Sequence, residues 1–302
     1  MARTRYTVVG LGELLWDLLP GGKQLGGAPA NFAYITSVLG DEGIPASRLG
    51  QDELASDALL RLTELGLPTS FIQEDEIHAT GTVKVEVDAK GQPCFEISES
   101  VAWDFLEWTR EWHTLASQAD GVCFGSLAQR SERSRSTIRK FLHATRGDAL
   151  HVFDVNLRPP FFDAPILSES MKLATIAKLN QDELPRIMQL LGREHRSDEV
   201  SAKQLVDMYG LKLICVTRGS GGSLLVSADS CSEHKGFRVR VVDTVGAGDA
   251  FTAGMVHEYL RGASLDQMNE VANRVGAWVA SEAGATPVLK PGGVEQTLAG
   301  IG

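Results

Sequence analysis

The chain has 302 residues, with 29 Lys plus Arg against 39 Asp plus Glu, for a formal net charge of −10. That balance excludes a chain-wide polyanion surface of the kind that grips nucleic acid, so any phosphate must be met locally. Hydrophobic residues at 43% and charged residues at 23% exclude intrinsic disorder, and the length suits one large α/β domain or two modest ones.

Met1-Ala2-Arg3-Thr4-Arg5-Tyr6 runs straight into a short strand over Thr7–Gly10, without the apolar region of a signal peptide. No stretch approaches the roughly 18 unbroken apolar residues of a membrane span, and a cytoplasmic location with no membrane partner is the expectation. Leu14–Leu19 and Gln24–Leu25, split by Pro20-Gly21-Gly22, read as short strands. Gly26 and Gly27 then allow close backbone approach to a ligand, and a helix over Ala30–Leu39, opening at Ala28, presents free N–H groups at its start. Asn31 projects from its first turn and Asp17 lies just beyond the first strand. Such short polar side chains suit a polyhydroxylated ligand, since a carboxylate accepts two hydroxyl hydrogens at once. A glycine turn leading into an ordinary helix is the plainer reading.

A helix follows over Asp52–Leu65. Thr80–Ser98 breaks the rhythm: apolar and polar residues alternate around Ala89-Lys90-Gly91 as in an antiparallel hairpin, with no helix between the strands. A small sheet standing off the main one is expected there, as a lid or a dimer surface. Val122–Gly125 and His151–Asp154 read as strands, with a helix over Ser131–Ala144 between them. Asn156 and Arg158 follow the second strand, where open α/β sheets bind their ligands; Arg158 also reads as a surface ion-pair partner ahead of Pro159-Pro160.

Helices are expected over Glu169–Ala177 and Glu183–Leu191, and the apolar run Ile176–Leu179 leads to Asn180 and Glu183, which read as an N-cap and the N3 glutamate of a capping box. Arg193–Glu199 reads as a solvated loop before a helix over Ala202–Tyr209. Strands over Leu211–Thr217 and Ser223–Ser227 flank the glycine turn Gly219–Gly222, and helices over Asp249–Leu260 and Leu265–Ala283 close the chain. The alternation signals βαβ units, a mostly parallel central sheet and helices on both faces.

Val242-Asp-Thr-Val-Gly-Ala-Gly-Asp249-Ala-Phe251 carries the strongest chemistry. Gly246, Ala247 and Gly248 stand immediately before an apolar helix, so successive N–H groups can converge ahead of its N-terminus as an anion hole. Asp249 alone reads as a first-turn capping charge. Beside the anion hole it meets the second demand of phosphoryl transfer to an alcohol, a base for the hydroxyl proton.

Asp243–Asp249 resembles the C-terminal signature of the PfkB family of carbohydrate kinases, and Gly26-Gly-Ala-Pro-Ala-Asn-Phe-Ala33, preceded by Gly12-Glu-Leu-Leu-Trp-Asp17, is similar to the family's glycine-rich substrate motif. The resemblance spans nearly the whole chain. It implies an α/β fold of the ribokinase-like three-layer type, with a mostly parallel central sheet and a small β-sheet lid formed by about 13–26 and 78–102 within a single domain. It implies ATP and Mg²⁺ as cofactors, with K⁺ or another monovalent cation in some relatives. Asp249 would be the catalytic base, the Gly246, Ala247 and Gly248 amides the anion hole, and Arg158 would face the phosphoryl group or the substrate. Asp17, Gly27, Ala28 and Asn31 would contact the sugar. Asn180, Glu183, Thr217, Gly219 and Gly222 would serve the nucleotide, with Glu183 reaching Mg²⁺ through water, Asn273 near the adenine on a segment running to Trp278, and Asp243 near a monovalent cation.

Two departures from the family pattern stand out. Ala55 occupies a place where many members carry glycine, and position 28 is Ala where ribokinase-type members usually have Lys. With Arg158, the latter moves the expected acceptor from ribose toward fructose. Ketodeoxygluconate, ribose or a nucleoside are the alternative acceptors, and a non-catalytic sugar or nucleotide sensor is the alternative of another class. There is no G-x-x-x-x-G-K-[ST] loop, strict G-x-G-x-x-G, G-x-S-x-G or H-E-x-x-H, which removes the main support for other nucleotide folds, including dinucleotide oxidoreductases, and for hydrolases. Cys94, Cys123, Cys215 and Cys231 are too scattered for zinc or a disulfide framework and read as reduced packing residues. Sugar and ATP are the expected partners, with self-pairing through the lid sheet as a homodimer.

Overall fold

The computed structural model describes residues 5–19, 21–87, 93–289 and 292–301, with backbone alone at 85–87 and 93–95. In chain order its elements are β1 (Thr7–Leu11), β2 (Leu15–Leu19), β3 (Gly22–Gly26), α1 (Ala28–Val38), β4 (Glu42–Gly50), α2 (Glu53–Glu64), β5 (Ile72–Asp75), β6 (Gly81–Val87) and β7 (Pro93–Ile97). Then come α3 (Arg110–Gln118), β8 (Gly121–Gly125), α4 (Glu132–Ala144), β9 (Leu150–Asp154), α5 (Ala164–Leu173), β10 (Ile176–Asn180), α6 (Glu183–Leu190) and α7 (Asp198–Tyr209). The chain closes with β11 (Leu213–Thr217), β12 (Ser223–Val226), β13 (Cys231–His234), α8 (Ala247–Leu260), α9 (Leu265–Ala280) and α10 (Gly293–Ala299).

Nine strands form the central sheet in the order β13-β12-β11-β10-β9-β8-β1-β4-β5. It is parallel from β11 to β5, and only β12 and β13 run antiparallel to their neighbours. Side chains alternate between the two faces with period two, and each face is sealed by helices. Val9, Phe124 and Phe153 pack with Trp112, Phe141, Leu167 and Leu205 of α3, α4, α5 and α7. On the other face Val8, Val152 and Ile176 pack with Phe32, Leu62, Met255 and Val275 of α1, α2, α8 and α9. The three layers match the fold class expected from sequence, and the parallel strands bring their carboxyl ends to one edge.

At that edge stands a second sheet in the order β3-β2-β6-β7. β2 pairs antiparallel with β3 and parallel with β6, and β6 pairs antiparallel with β7. The hairpin turn expected at Ala89–Gly91 lies outside the described residues. Trp16 of β2 donates from Nε1 to the Leu54 carbonyl at 2.8 Å, fastening this sheet to α2.

Several sequence expectations need correction. The helix placed over Glu169–Ala177 runs instead over α5, because Asp163 caps it by accepting from the Ile166 N–H at 2.7 Å and Pro165 presets its first turn. The residues after Ala174 are then free to form β10, a strand in the middle of the sheet. The loop over Arg193–Glu199 ends at Ser197, which caps α7, so Asp198 and Glu199 are helical. β4, β5, β13, α3 and α10 were not anticipated. Cys123 and Cys215 are buried free thiols and Cys231 is an exposed one, while the side chain of Cys94 lies outside the described residues. Among the described residues no helix is long and apolar enough to cross a membrane.

Candidate active site

The start of α8 reaches the carboxyl edge of the sheet through Gly246, whose φ of 76° is left-handed and which lies so close to the Ala285 backbone that a side chain has no room. Ala247 and Gly248 form the first turn and Asp249 completes it. Asp249 is half-buried. Burial and the neighbouring Asp154 push its carboxyl up to about 7, against the pull of Asn31, Lys178 and Arg158.

α1 enters the same space from the other side. Gly27 precedes it with φ 111°, and a Cβ there would stand 2.5 Å from the Glu13 carbonyl oxygen. Asn31 donates from Nδ2 to Asp249 Oδ2 at 2.9 Å, so the two expected motifs meet directly. Between them a cavity of about 10 Å³, the size of one water position, is bounded by Glu13, Ala28, Pro29, Asp154, Asn156 and Asp249. Glu13 is 3% exposed and its Oε2 has no hydrogen-bond partner. Burial pushes its carboxyl up to about 7, partly relieved by a backbone hydrogen bond and by Arg158.

Asp17 is not in that cavity. It lines a neighbouring groove of about 470 Å³ between the small sheet, α2 and residues 283–286, together with Trp16, Gly26, Arg61, Val245 and Ala285. Burial raises its carboxyl and Arg158 lowers it. Arg158 itself is exposed on the loop after β9, with Nη1 donating to the Leu157 carbonyl at 3.2 Å, and its charge acts on Glu13, Asp17 and Asp249 together.

Among the residues expected to serve the nucleotide, Asn180 and Thr217 are register partners at the ends of β10 and β11. Asn180 Oδ1 accepts from the N–H groups of Asp182 and Glu183, both at 2.9 Å, and Glu183 Oε2 accepts from Asn180 N–H at 2.8 Å, so the capping-box reading holds. Glu183 Oε1 also accepts from Leu157 N–H at 2.7 Å. With both oxygens on backbone amides, Glu183 has only its remaining lone pairs for a water-mediated cation. Gly219, at φ 55°, faces open space.

Other expectations fare differently. Gly222 gives clearance to the chain at His234–Gly236, against which a Cβ would clash. Asn273 is 8% exposed and its Nδ2 is held by Ser223 Oγ at 2.7 Å and by Asn269, so it braces α9 against β12. Trp278 is core. Asp243 uses Oδ1 for Val245 N–H at 3.0 Å and Oδ2 for Gly284 N–H at 3.2 Å, which makes it a latch for the loop before Gly246. Among the described residues no group of three or more His, Cys, Asp or Glu is placed to hold a metal ion.

The family model described as pfkB family carbohydrate kinase matches residues 21–291. This chain belongs to the pfkB family of carbohydrate kinases. It is thus an ATP-dependent sugar kinase, a phosphotransferase of ribokinase-like fold. Its sequence is 29% identical to the sugar kinase PH1459 of Pyrococcus horikoshii over 92% of this chain and 91% of that protein. The crystal structure of PH1459 in complex with ATP superposes with a TM-score of 0.79 at 28% identity, covering 92% of this chain and 94% of that one. A fructokinase of Salmonella typhimurium is 30% identical over 82% of each chain. The fructokinase of Xylella fastidiosa shares the fold, with a TM-score of 0.82 at 24% identity over 93% of this chain and 94% of that one.

Within the pfkB site, sequence reasoning overlooked Glu13, Asp154, Lys178 and Thr252. A signal existed for two of them: Asp154 and Lys178 are lone charges inside apolar strand runs, and buried charges need partners.

Proposed function

We propose that this kinase transfers the γ-phosphoryl group of ATP to a primary hydroxyl of fructose, with Asp249 as the general base. The hydrogen bond from Asn31 to Asp249 carries the reading, because it puts the sugar-facing motif and the anion-hole motif at one point. A carboxyl near 7 takes a hydroxyl proton at neutral pH and still has the driving force to do so. The amides of Gly246 and Gly248, at the positive end of α8, stabilise the charge spread over the phosphoryl oxygens, and that of Ala247 joins them by leaving the Thr244 carbonyl, to which it donates at 3.3 Å.

Thr217 and Gly219 border the path of the nucleotide phosphates. Magnesium bound with ATP would neutralise phosphate charge, and Glu183 and Asn180 are the residues that would serve it, through water. A monovalent cation held by carbonyls of the loop that Asp243 latches would stiffen the anion hole. Asp17, Gly27, Ala28 and Asn31 hold the sugar hydroxyls, and the small sheet closing over the Asp17 groove excludes water, the competing acceptor. Two chains pairing through that sheet would hold the lid in register.

Fructose is favoured over an acidic acceptor by charge. Arg158 is shared among three carboxylates, Glu13, Asp17 and Asp249, and Lys23 and Arg61 of the groove are paired with Asp57 and Glu64, which makes each a poorer partner for a substrate carboxylate. Relatives named fructokinase support the same acceptor. The test is a coupled ADP-release screen with Mg-ATP across fructose, ribose, ketodeoxygluconate and adenosine. Fructose should give the highest kcat/KM; a higher value for another acceptor removes the fructose assignment, and turnover of none favours a sensor.

A further inference from the structure

Charged residues are rare in strands of a parallel sheet sealed on both faces. Lys178 is such a residue. It is 7% exposed, on the α8-facing side of β10, directly in register with Asp154 of β9. Its Nζ lies 3.1 and 3.2 Å from the two Asp154 oxygens. Thr252 of α8 donates from Oγ1 to Asp154 Oδ2 at 2.9 Å, so the pair is tied to the helix.

The ammonium also sits under the first turn of α8. A Cβ built on Gly248 would stand 3.0 Å from Nζ. A helix N-terminus is the positive end of the dipole and disfavours a cation, and burial adds to the cost. Asp154 pairs with the ammonium, and Glu183 and Asp249 add negative charge around it, but none of the three requires it to stand against the anion hole. A glue between β9 and β10 would not need glycine at 248. An incoming anion accounts for both features.

Resting on the phosphoryl-transfer reading above, we propose that Lys178 is a positioning residue: its buried ammonium, fixed by Asp154 and Thr252, supports from beneath the Gly246–Gly248 amides the negative charge of the transferring phosphoryl group. In the step itself the bond from the γ-phosphorus to the bridging oxygen of ADP breaks, the bond to the sugar oxygen forms, and the sugar proton goes to Asp249. Lys178 keeps its proton throughout. Burial works against its charge, but Asp154, Glu183 and Asp249 restore it and hold its pKa above the ordinary lysine value. In return Lys178 lowers the pKa of Asp249, which Asp154 raises and Arg158 also lowers, with Glu13 facing the same carboxylate.

The experiment compares Lys178→Met, the neutral pair Lys178→Met/Asp154→Asn and Thr252→Val with the wild type, by kcat, both KM values, the pH profile of kcat/KM and melting temperature. Both Lys178 variants should lose roughly 10²-fold or more in kcat with KM values within about threefold, the size of effect seen when an electrostatic donor is removed. Lys178→Met should move the acid limb of kcat/KM to higher pH, and the double variant should bring it back while kcat stays low. A role in stability alone would change melting and leave kcat and the limb in place. A folded double variant with kcat within about threefold of wild type overturns the inference. If neither Lys178 variant folds, Thr252→Val decides, since it keeps the side-chain shape and leaves Asp154 Oδ2 held by Lys178 alone: a clear fall in kcat supports the proposal, and unchanged kcat overturns it. A wild-type chain that releases no ADP with any acceptor brings down the kinase reading, and this inference with it.

Discussion

Asn31 and Asp249, 218 residues apart, are joined by a 2.9 Å hydrogen bond from Nδ2 to Oδ2. The bond aligns the first turns of α1 and α8, so two helix N-termini converge on one carboxylate. It also favours the charged form of Asp249, whereas burial and Asp154 favour the neutral one. The balance leaves its carboxyl at about 7.

Glu13 sets part of that balance. Its carboxyl is raised from an ordinary 4.5 to about 7, so the folded state binds the extra proton. Its contribution to stability is present below about 4.5 and is lost as pH rises through about 7. Glu13→Gln should therefore melt higher than wild type at pH 8, with the difference vanishing toward pH 4. Removing the charge also eases Asp249, so the acid limb of kcat/KM should move below about 7, where the wild-type carboxyl stands. An unmoved limb would show that Glu13 and Asp249 do not communicate.

Asp17 faces the groove and not the reacting cavity, so its loss should be felt in binding. Asp17→Ala should raise the sugar KM by roughly 10- to 100-fold, as expected for hydrogen bonds to a charged group, and leave the KM for ATP unchanged. A normal sugar KM would take Asp17 out of the sugar site.

Far from the site, Asp41 ties α8 to the edge of β4. It accepts from His257 Nδ1 at 2.7 Å, from Arg261 at 2.8 and 3.0 Å and from Tyr6 N–H at 3.0 Å. Burial alone would raise its carboxyl, but those bonds win and bring it from 3.8 to about 2. The stability it supplies is present above about 4 and lost as pH falls through about 2. Asp41→Asn should cost about 2 kcal/mol at pH 7, measured by urea unfolding, and progressively less between pH 4 and pH 2. A pH-independent loss would point to packing.

The layered fold was legible because α2, α4, α6 and α9 carry clear amphipathic periods, and the caps of α2 and α9 are explicit. Asp52 accepts from Ala55 N–H at 2.8 Å at the head of α2, for example. β4 was not legible. Its sequence, Glu-Gly-Ile-Pro-Ala-Ser-Arg-Leu-Gly, reads as a turn, yet Gly43 is needed where β4 passes the Ala33 carbonyl of α1, and the strand is fixed by pairing with β1 and β5. β10 was masked by the helix period running into it, and only the Asp163 cap shows where α5 begins.

Of the site, the glycine motifs were readable because backbone approach demands glycine locally. Gly222 and Asn273 also have structural roles of their own: glycine at a tight crossing and asparagine in a buried polar ladder look in sequence like ligand contacts. Lys178 and Glu13 depend on neighbours 24 and more than 200 residues away, which no local pattern carries.

The central claim is that Asp249 removes the sugar proton at the N-terminus of α8. The most direct measurement is the kcat of Asp249→Asn beside the calorimetric affinities of the same variant for fructose and for ATP. Loss of a positioned base predicts a fall of roughly 10²- to 10⁴-fold in kcat with both affinities within about threefold of wild type. A kcat close to wild type, or a loss of both affinities as large as the loss of kcat, would contradict it.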